Sequence, residues 1–291
     1  MNYTFGIVGY GQVGKTLATY LHQNGYLKWV KIKSIKTSKN FNFNSIPKSK
    51  FIDNFLILDD IPSVIIICVK DKQYKDVVKE LLDCPLKFKK TILIHTSGSF
   101  TKSILEPLKN KFLSIAACHP YQTFFTQDVT ILNNIAWGID CYDDIKENIA
   151  QIIKIFKGKP IFLNNNALKN KTLYHISAIL SSNSLIAVLN FAKEILKELN
   201  LNPLEFMKPI VDQSINNFLE YIHNEETPLT GPIARGELDT IEKHLNSLKD
   251  FESFKKEIIY IYNFILEIAL EKNKIDLEKY NNVKNILKTF S

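Results

Sequence analysis

The chain opens on a short apolar run, Phe5-Gly6-Ile7-Val8, then a glycine-rich turn, then apolar residues at helical spacing over 13–24. An apolar run of this length reads as a buried strand, and a period between three and four reads as a helix with one buried face. The alternation continues. Residues 29–35 predict a second strand, Val64-Ile65-Ile66-Ile67-Cys68-Val69 a central strand buried on both faces, 91–95 another and 113–118 another, with a helix over 72–82 before Pro85. The polar stretch 38–50 is expected to be irregular, and strands at 135–139 and 160–162 flank a helix over 144–156. Strand and helix in turn predict an α/β fold with a parallel sheet.

From Asn166 the period becomes purely helical: 166–200, 203–222, 239–248, 251–270 and 277–289. Two domains are therefore expected, an α/β domain over 1–165 and an all-α domain over 166–291. The 166–200 segment is apolar nearly all round, which predicts a buried helix.

Composition narrows the class. With 291 residues, 45% hydrophobic and 23% charged, the chain can bury a substantial core. No run was expected to approach the ~20 apolar residues of a membrane span, and the first strand begins without a signal-peptide pattern, so a cytoplasmic protein with no membrane partner is expected. Cys68, Cys84, Cys118 and Cys141 share no ligand spacing, so neither a metal site nor a disulfide frame is implied. The net charge of +7 comes from scattered lysines without a basic run, which reads as a solvated surface rather than a nucleic-acid footprint.

Three of the ten glycines fall in Gly9-Tyr10-Gly11-Gln12-Val13-Gly14, directly after the first strand. In that context G-x-G-x-x-G gives a tight turn, bare backbone for a pyrophosphate, and close helix-on-strand packing, with the helix N-terminus facing the phosphates and Gly25 ending the helix. A strand followed by Lys36-Thr37-Ser38-Lys39 has no carboxylate for a ribose 2′-hydroxyl. Cations and hydroxyls suit a 2′-phosphate, which points to NADPH; the alternative is two more solvated lysines.

Arg235 is the only arginine in a chain whose other 36 Lys+Arg residues are lysine. A position that keeps a guanidinium needs its planar fork, either for a substrate carboxylate or for a buried carboxylate between helices. On the long helix, Lys171, His175 and Ser182 fall in one stripe, since steps of four and seven nearly close whole turns. His175 is either a satisfied core histidine or a functional one. Polar residues also gather after each strand, at the edge where open α/β sheets bind ligands.

Together, the fingerprint, His95-Thr96-Ser97-Gly98, His119-Pro120-Tyr121-Gln122-Thr123-Phe124, Tyr174-His175 with Asn183, and Gly231-Pro232-Ile233-Ala234-Arg235-Gly236-Glu237 resemble the family that joins a Rossmann-like domain to a helical domain long catalogued as of unknown function. That family lies within the 6-phosphogluconate dehydrogenase-like group, and the chain is similar to a non-orthodox class of ketopantoate reductase. The resemblance implies an N-terminal Rossmann-like parallel sheet followed by an all-α domain. It implies NADPH held by Gly9, Tyr10, Gly11, Gln12, Val13, Gly14, Lys36, Thr37, Ser38, Val69 and Lys70, while the apolar helices after Phe251 suit the interface of a homodimer.

Orthodox ketopantoate reductases carry a lysine where this chain has His175, an asparagine matched by Asn183, another where this chain has Ser97, and a glutamate matched by Glu237 or Asp239. Reduction of a 2-oxo acid needs a proton donor and a carboxylate clamp. The resemblance gives the first role to His175 and orientation of the substrate to Asn183 and Ser97. Arg235 suits the clamp, and Glu237 would hold His175 or a distal hydroxyl. Alternatives are another small acid, a cyclic imine, or a nucleotide-bound sensor without catalysis.

Overall fold

The computed structural model describes residues 3–33, 46–57, 60–126, 128–224 and 226–290. The strands are β1 (Phe5–Val8), β2 (Leu27–Lys31), β3 (Phe51–Ile52), β4 (Val64–Ile67), β5 (Phe88–His95), β6 (Phe112–Pro120), β7 (Ala136–Cys141) and β8 (Lys159–Phe162); β2 starts earlier and ends earlier than the 29–35 expected, and β3 was not expected. They form one sheet in the order β3-β2-β1-β4-β5-β6-β7-β8. Helix α1 (Gln12–Gln23) follows β1, α2 (Tyr74–Asp83) follows β4, and α3 (Lys146–Ile155) joins β7 to β8.

β4 is the apolar centre of this sheet, buried at every position because helices cover both faces. Leu17 and Leu21 of α1 and Ile149 and Ile152 of α3 pack on one face with Phe5, Ile7 and Ile66. Tyr74, Val77 and Leu81 of α2 pack on the other with Ile65, Ile67 and Leu93. The sheet departs from uniform parallel pairing at one edge, where β7 runs antiparallel to β6 and β8 runs parallel to β7. Among its described residues the segment joining β6 to β7 contains a short helical turn, Val129–Leu132, and an antiparallel return needs no long crossover.

The strand register lines up the carboxyl edge. Val8 pairs with Ile67, Ile67 with His95 and His95 with Ala117. Gly9, Cys68, Thr96 and Cys118 therefore emerge side by side. The chain winds outward in one direction from β1 and in the other from β4, so this edge contains the topological switch point where such sheets bind ligands.

The long helix differs from the continuous buried rod expected. Helix α4 (Asn165–Lys169) ends at Asn170, whose φ of −109° and ψ of 39° break the line and whose side-chain amide donates to the Asn166 carbonyl at 3.0 Å. Helix α5 (Lys171–Ile179) then passes through a π-helical turn, Leu180–Ser184, into α6 (Leu185–Glu198). Ser182 Oγ donates to the Ala178 carbonyl at 2.7 Å and Ser181 Oγ to that of Ser177 at 2.9 Å. Such back-bonding competes with the helix ladder and gives the inserted residue a local cause.

Burial is the larger correction. Lys171 is the one buried residue on α5, and α6 has none; Leu173, Leu180 and Ile186 are exposed. All-round apolarity therefore marks a surface left uncovered in the single chain. By length and composition the segment Lys171–Glu198, with a mean hydropathy of 1.4 in its most apolar window, could cross a membrane, contrary to the expectation that no run would approach such a span.

Contacts divide the chain into 1–186 and 187–291. The second unit has its own core of Ile241, Leu245, Ile259, Leu266, Val283 and Leu287, built by α8 (Pro232–Arg235), α9 (Leu238–Ser247), α10 (Glu252–Glu271) and α11 (Leu277–Thr289). Its α7 (Pro203–Glu220) buries no residue.

Candidate active site

The glycine turn has the geometry a dinucleotide cradle needs. Gly9 has φ +96°, and a Cβ there would lie 2.6 Å from the Cys68 carbonyl oxygen. A Cβ on Gly14 would lie 2.2 Å from the Gly9 carbonyl oxygen, so this glycine lets α1 pack against the turn. Gly11 differs: nothing stands within 4 Å of its would-be Cβ. That open backbone is where a pyrophosphate can approach, at the N-terminus of a helix with no side-chain cap and no acidic residue in its first turn. Gly25, at φ +76°, follows the end of α1.

One cleft of about 490 Å³ runs from Gly9, Tyr10 and Gly11 past Lys33 to Val69 and Lys70. Lys31 also lines it, but its ammonium is taken by Glu80 at 2.9 Å. Lys33 and Lys70 are exposed cations there. Lys36, Thr37 and Ser38, expected to meet a 2′-phosphate, lie outside the described residues. These features fit a phosphorylated dinucleotide.

A second cleft, of about 640 Å³, begins at Gln12 and Val13 of the same turn and continues to His119, His175, Ser182 and Asn183. His175, Ser182 and Asn183 thus line one cleft. His119, Tyr121 and Tyr174 stand in the strand-end and helix motifs of the sequence but were given no role there. Tyr174 Oη lies 3.0 Å from His119 Nδ1, and Tyr121 Oη lies 2.9 Å from Ser177 Oγ. Two glycines admit these rings: a Cβ on Gly138 would lie 2.3 Å from Tyr174 Oη, and one on Gly98 would lie 2.2 Å from His175 Nδ1. The signal available in sequence was His119 at a strand's carboxyl end followed by Pro120 and Tyr121.

The electrostatics are those of buried groups crowded near one cation. Lys171 is 4% exposed, its Nζ has no hydrogen-bond partner among the described residues, and burial brings its pKa down to about 8. Burial, then the charge of Lys171, brings His119 down to about 3. Burial takes His95 to about 4 despite its bond to the Thr101 carbonyl. His95 is neutral with its proton on Nε2, since Nε2 lies 2.9 Å from the Thr101 oxygen and Nδ1 accepts from the Ser97 amide. His175 is half-buried, and its Nδ1 has no hydrogen-bond partner among the described residues. It is not a satisfied core histidine.

Other expected residues are placed differently. Ser97 Oγ donates to Asp71 at 2.9 Å and accepts the Ser99 and Phe100 amides, so its hydroxyl holds the strand-end turn together. Arg235 lies in the second unit on α8, between Gly231 at φ +99° and Gly236 at φ +69°. It is exposed and paired through Nε with Glu237 at 2.6 Å, which excludes the buried carboxylate tie. Glu237 spends its carboxylate on that pair.

Two family models match the chain: a Rossmann-like domain over residues 2–120 and a domain of unknown function, DUF2520, over residues 135–266. No curated protein matches it in sequence. Among solved structures it is similar to a Bacteroides fragilis protein whose proposed activity is that of an NADP oxidoreductase, at 17% identity and a TM-score of 0.70, covering 94% of this chain and 98% of that one. It is also similar to Plasmodium falciparum pyrroline carboxylate reductase with NADP bound, at 17% identity and 0.55, covering 94% and 97%. An Aspergillus terreus imine reductase in complex with NADPH4 and dibenz[c,e]azepine matches at 13% identity and 0.61, covering 96% and 98%. The chain thus joins a Rossmann-like domain to a DUF2520 domain in a fold shared with NADP oxidoreductases.

Proposed function

We propose that this chain is an NADPH-dependent oxidoreductase that reduces the carbonyl of a small 2-oxo acid, with ketopantoate as first substrate and pantoate as product. The observation that carries the reading is the position of His175: its cleft starts at Gln12 and Val13, the same turn whose Gly11 backbone is open to a pyrophosphate. When bound, the cofactor supplies hydride to the carbonyl carbon.

The chain's own groups do the rest. His175 delivers a proton to the carbonyl oxygen as charge builds there. Asn183, exposed on the same wall, orients the carbonyl. Lys171 precedes His175 by one turn on α5, and its buried amine, without a hydrogen-bond partner among the described residues, is the second candidate for the proton.

A second reading, reduction of a cyclic imine, is favoured by the similarity to a pyrroline carboxylate reductase and an imine reductase. It keeps every role above and moves the proton to nitrogen. The experiment is a panel of 2-oxo acids and cyclic imines assayed for NADPH oxidation, ketopantoate first. Turnover with imines alone would select the second reading.

We further propose a cytoplasmic homodimer. A second copy would cover the exposed Leu173, Leu180 and Ile186, and likewise Leu204, Phe206 and Ile210 on α7. Light scattering after size exclusion tests it, with a monomer as the contrary result.

A further inference from the structure

His175 presents its Nδ1 edge to the space beside the Gly98 backbone, and His119 presents its Nε2 edge to the same space. A Cβ added at residue 98 would lie 2.2 Å from His175 Nδ1 and 2.9 Å from His119 Nε2, so the two nitrogens face one small space that only a glycine leaves open. The rings meet edge to face at 5.5 Å between centroids and 84°.

A histidine that gives a proton from Nε2 must hold its second proton on Nδ1 afterwards, because the alternative is an imidazolate. That Nδ1–H is buried here, and a buried N–H needs an acceptor. None of the described residues bonds to it as the rings now stand. His119 Nε2 is the nitrogen across the gap, and the broad Cβ–Cγ torsion of a histidine lets the His175 ring turn to meet it.

His119 is suited to accept. It is 9% exposed, and burial together with the positive charge of Lys171 keeps the ring neutral, so one nitrogen always has a free lone pair. Its other nitrogen lies 3.0 Å from Tyr174 Oη; with the Nδ1–H of His119 donated to that oxygen, Nε2 is left as the acceptor. Burial pushes the Tyr174 phenol up, so that oxygen carries its proton and stays uncharged. The other groups around the ring are neutral His95 and the Tyr121 ring at 6.1 Å, and neither competes for Nε2.

We propose that His119 is a positioning residue for His175, accepting its Nδ1–H across Gly98 and so keeping the proton to be delivered on Nε2, toward the cleft. In the reaction the His175 Nε2–H bond breaks, its proton passes to the substrate oxygen or nitrogen, and His175 is left neutral with Nδ1–H bound to His119. Water in the open cleft returns a proton to Nε2 after product leaves. The inference deepens the reading of His175 as proton donor and rests on it.

The test is the nitrogen NMR signature of His175 in histidine-labelled protein without substrate or cofactor, assigned by its loss in His175→Asn and read above the pH where the ring titrates. The expected neutral form in the unmodified protein is Nδ1–H. It should revert to Nε2–H in His119→Ala, and also in Gly98→Ala, whose methyl would occupy the gap and push the two rings apart. His119→Gln, with a carbonyl to accept, should keep Nδ1–H. Turnover should follow, with kcat about tenfold or more lower in His119→Ala, KM little changed, and partial recovery in His119→Gln. Neutral His175 found as Nε2–H in the unmodified protein, or as Nδ1–H in both alanine variants, overturns the proposal. Absence of turnover with the tautomer pattern intact would instead refute the reductase reading alone.

Discussion

Lys171 buries its Nζ 4.2 Å from the centre of the Tyr174 ring, with no hydrogen-bond partner among the described residues. A lysine so placed is costly to the fold, and its pKa of about 8 says in which direction. The unfolded value is about 10.4. Below pH ~8 both states hold the proton and the folded chain bears the full burial cost; between ~8 and ~10.4 the unfolded chain holds more protons, so this group adds stability as pH rises. Lys171→Met should therefore raise Tm at pH 7, by about 1–3 kcal/mol of stability, with the gain shrinking toward pH 10. Thermal melts of both proteins at several pH values check this. A lower Tm at pH 7 would show that the ammonium is paired in solution.

The glycine turn separates packing from binding at neighbouring positions. Gly14→Ala forces a carbon to within 2.2 Å of the Gly9 carbonyl oxygen and should lower Tm markedly. Gly11→Ala meets nothing within 4 Å and should leave Tm unchanged while weakening NADPH by about tenfold or more. Melts and cofactor titrations of the two variants decide it. Unimpaired NADPH affinity in Gly11→Ala would mean the cradle is not used.

Acid should destabilise the protein partly through two histidines. His95 and His119 are held near 4 and 3 in the fold, below the unfolded value of about 6.5. The unfolded chain therefore takes up protons first, and stability present above pH ~6.5 is lost as pH falls toward those values, at about 1.4 kcal/mol per pH unit for each ring. His119→Gln should lose less stability than the unmodified protein between pH 6.5 and 4.5, measured by denaturant unfolding. Identical losses would contradict a neutral buried His119.

The cofactor preference has its own test. Lys33 and Lys70 line the cleft beside Gly9 and Gly11, and charge-assisted bonds to a phosphate are each worth roughly 1.5–3 kcal/mol. The double change Lys33→Gln and Lys70→Gln should weaken NADPH and leave NADH nearly unaffected. Equal affinity for the two cofactors in the unmodified protein would refute the 2′-phosphate reading.

Much of the first unit was legible because its signals are local. The run Val64-Ile65-Ile66-Ile67 can only be a central strand, and three glycines at fixed spacing specify a turn by sterics alone. The reversal of β7 was not legible, because strand direction depends on which neighbour a segment pairs with, which periodicity does not encode. Nor was the exposure of α6, since an apolar surface looks the same whether its cover comes from its own chain or from elsewhere. His175 stood out by its place in a stripe. His119 and Tyr174 stood in quoted motifs, but their contact was not legible, because it depends on Gly98 and Gly138, tens of residues away in sequence, leaving room for the rings.

The most direct measurement is NADPH oxidation by the unmodified protein and by His175→Ala, with ketopantoate and a cyclic imine offered in turn. The account expects turnover with one of them in the unmodified protein. In His175→Ala it expects a fall of about 10²–10⁴-fold, with folding and NADPH affinity retained. Near-normal turnover in a folded His175→Ala would contradict it, and so would NADPH binding without oxidation of the cofactor by any 2-oxo acid or imine.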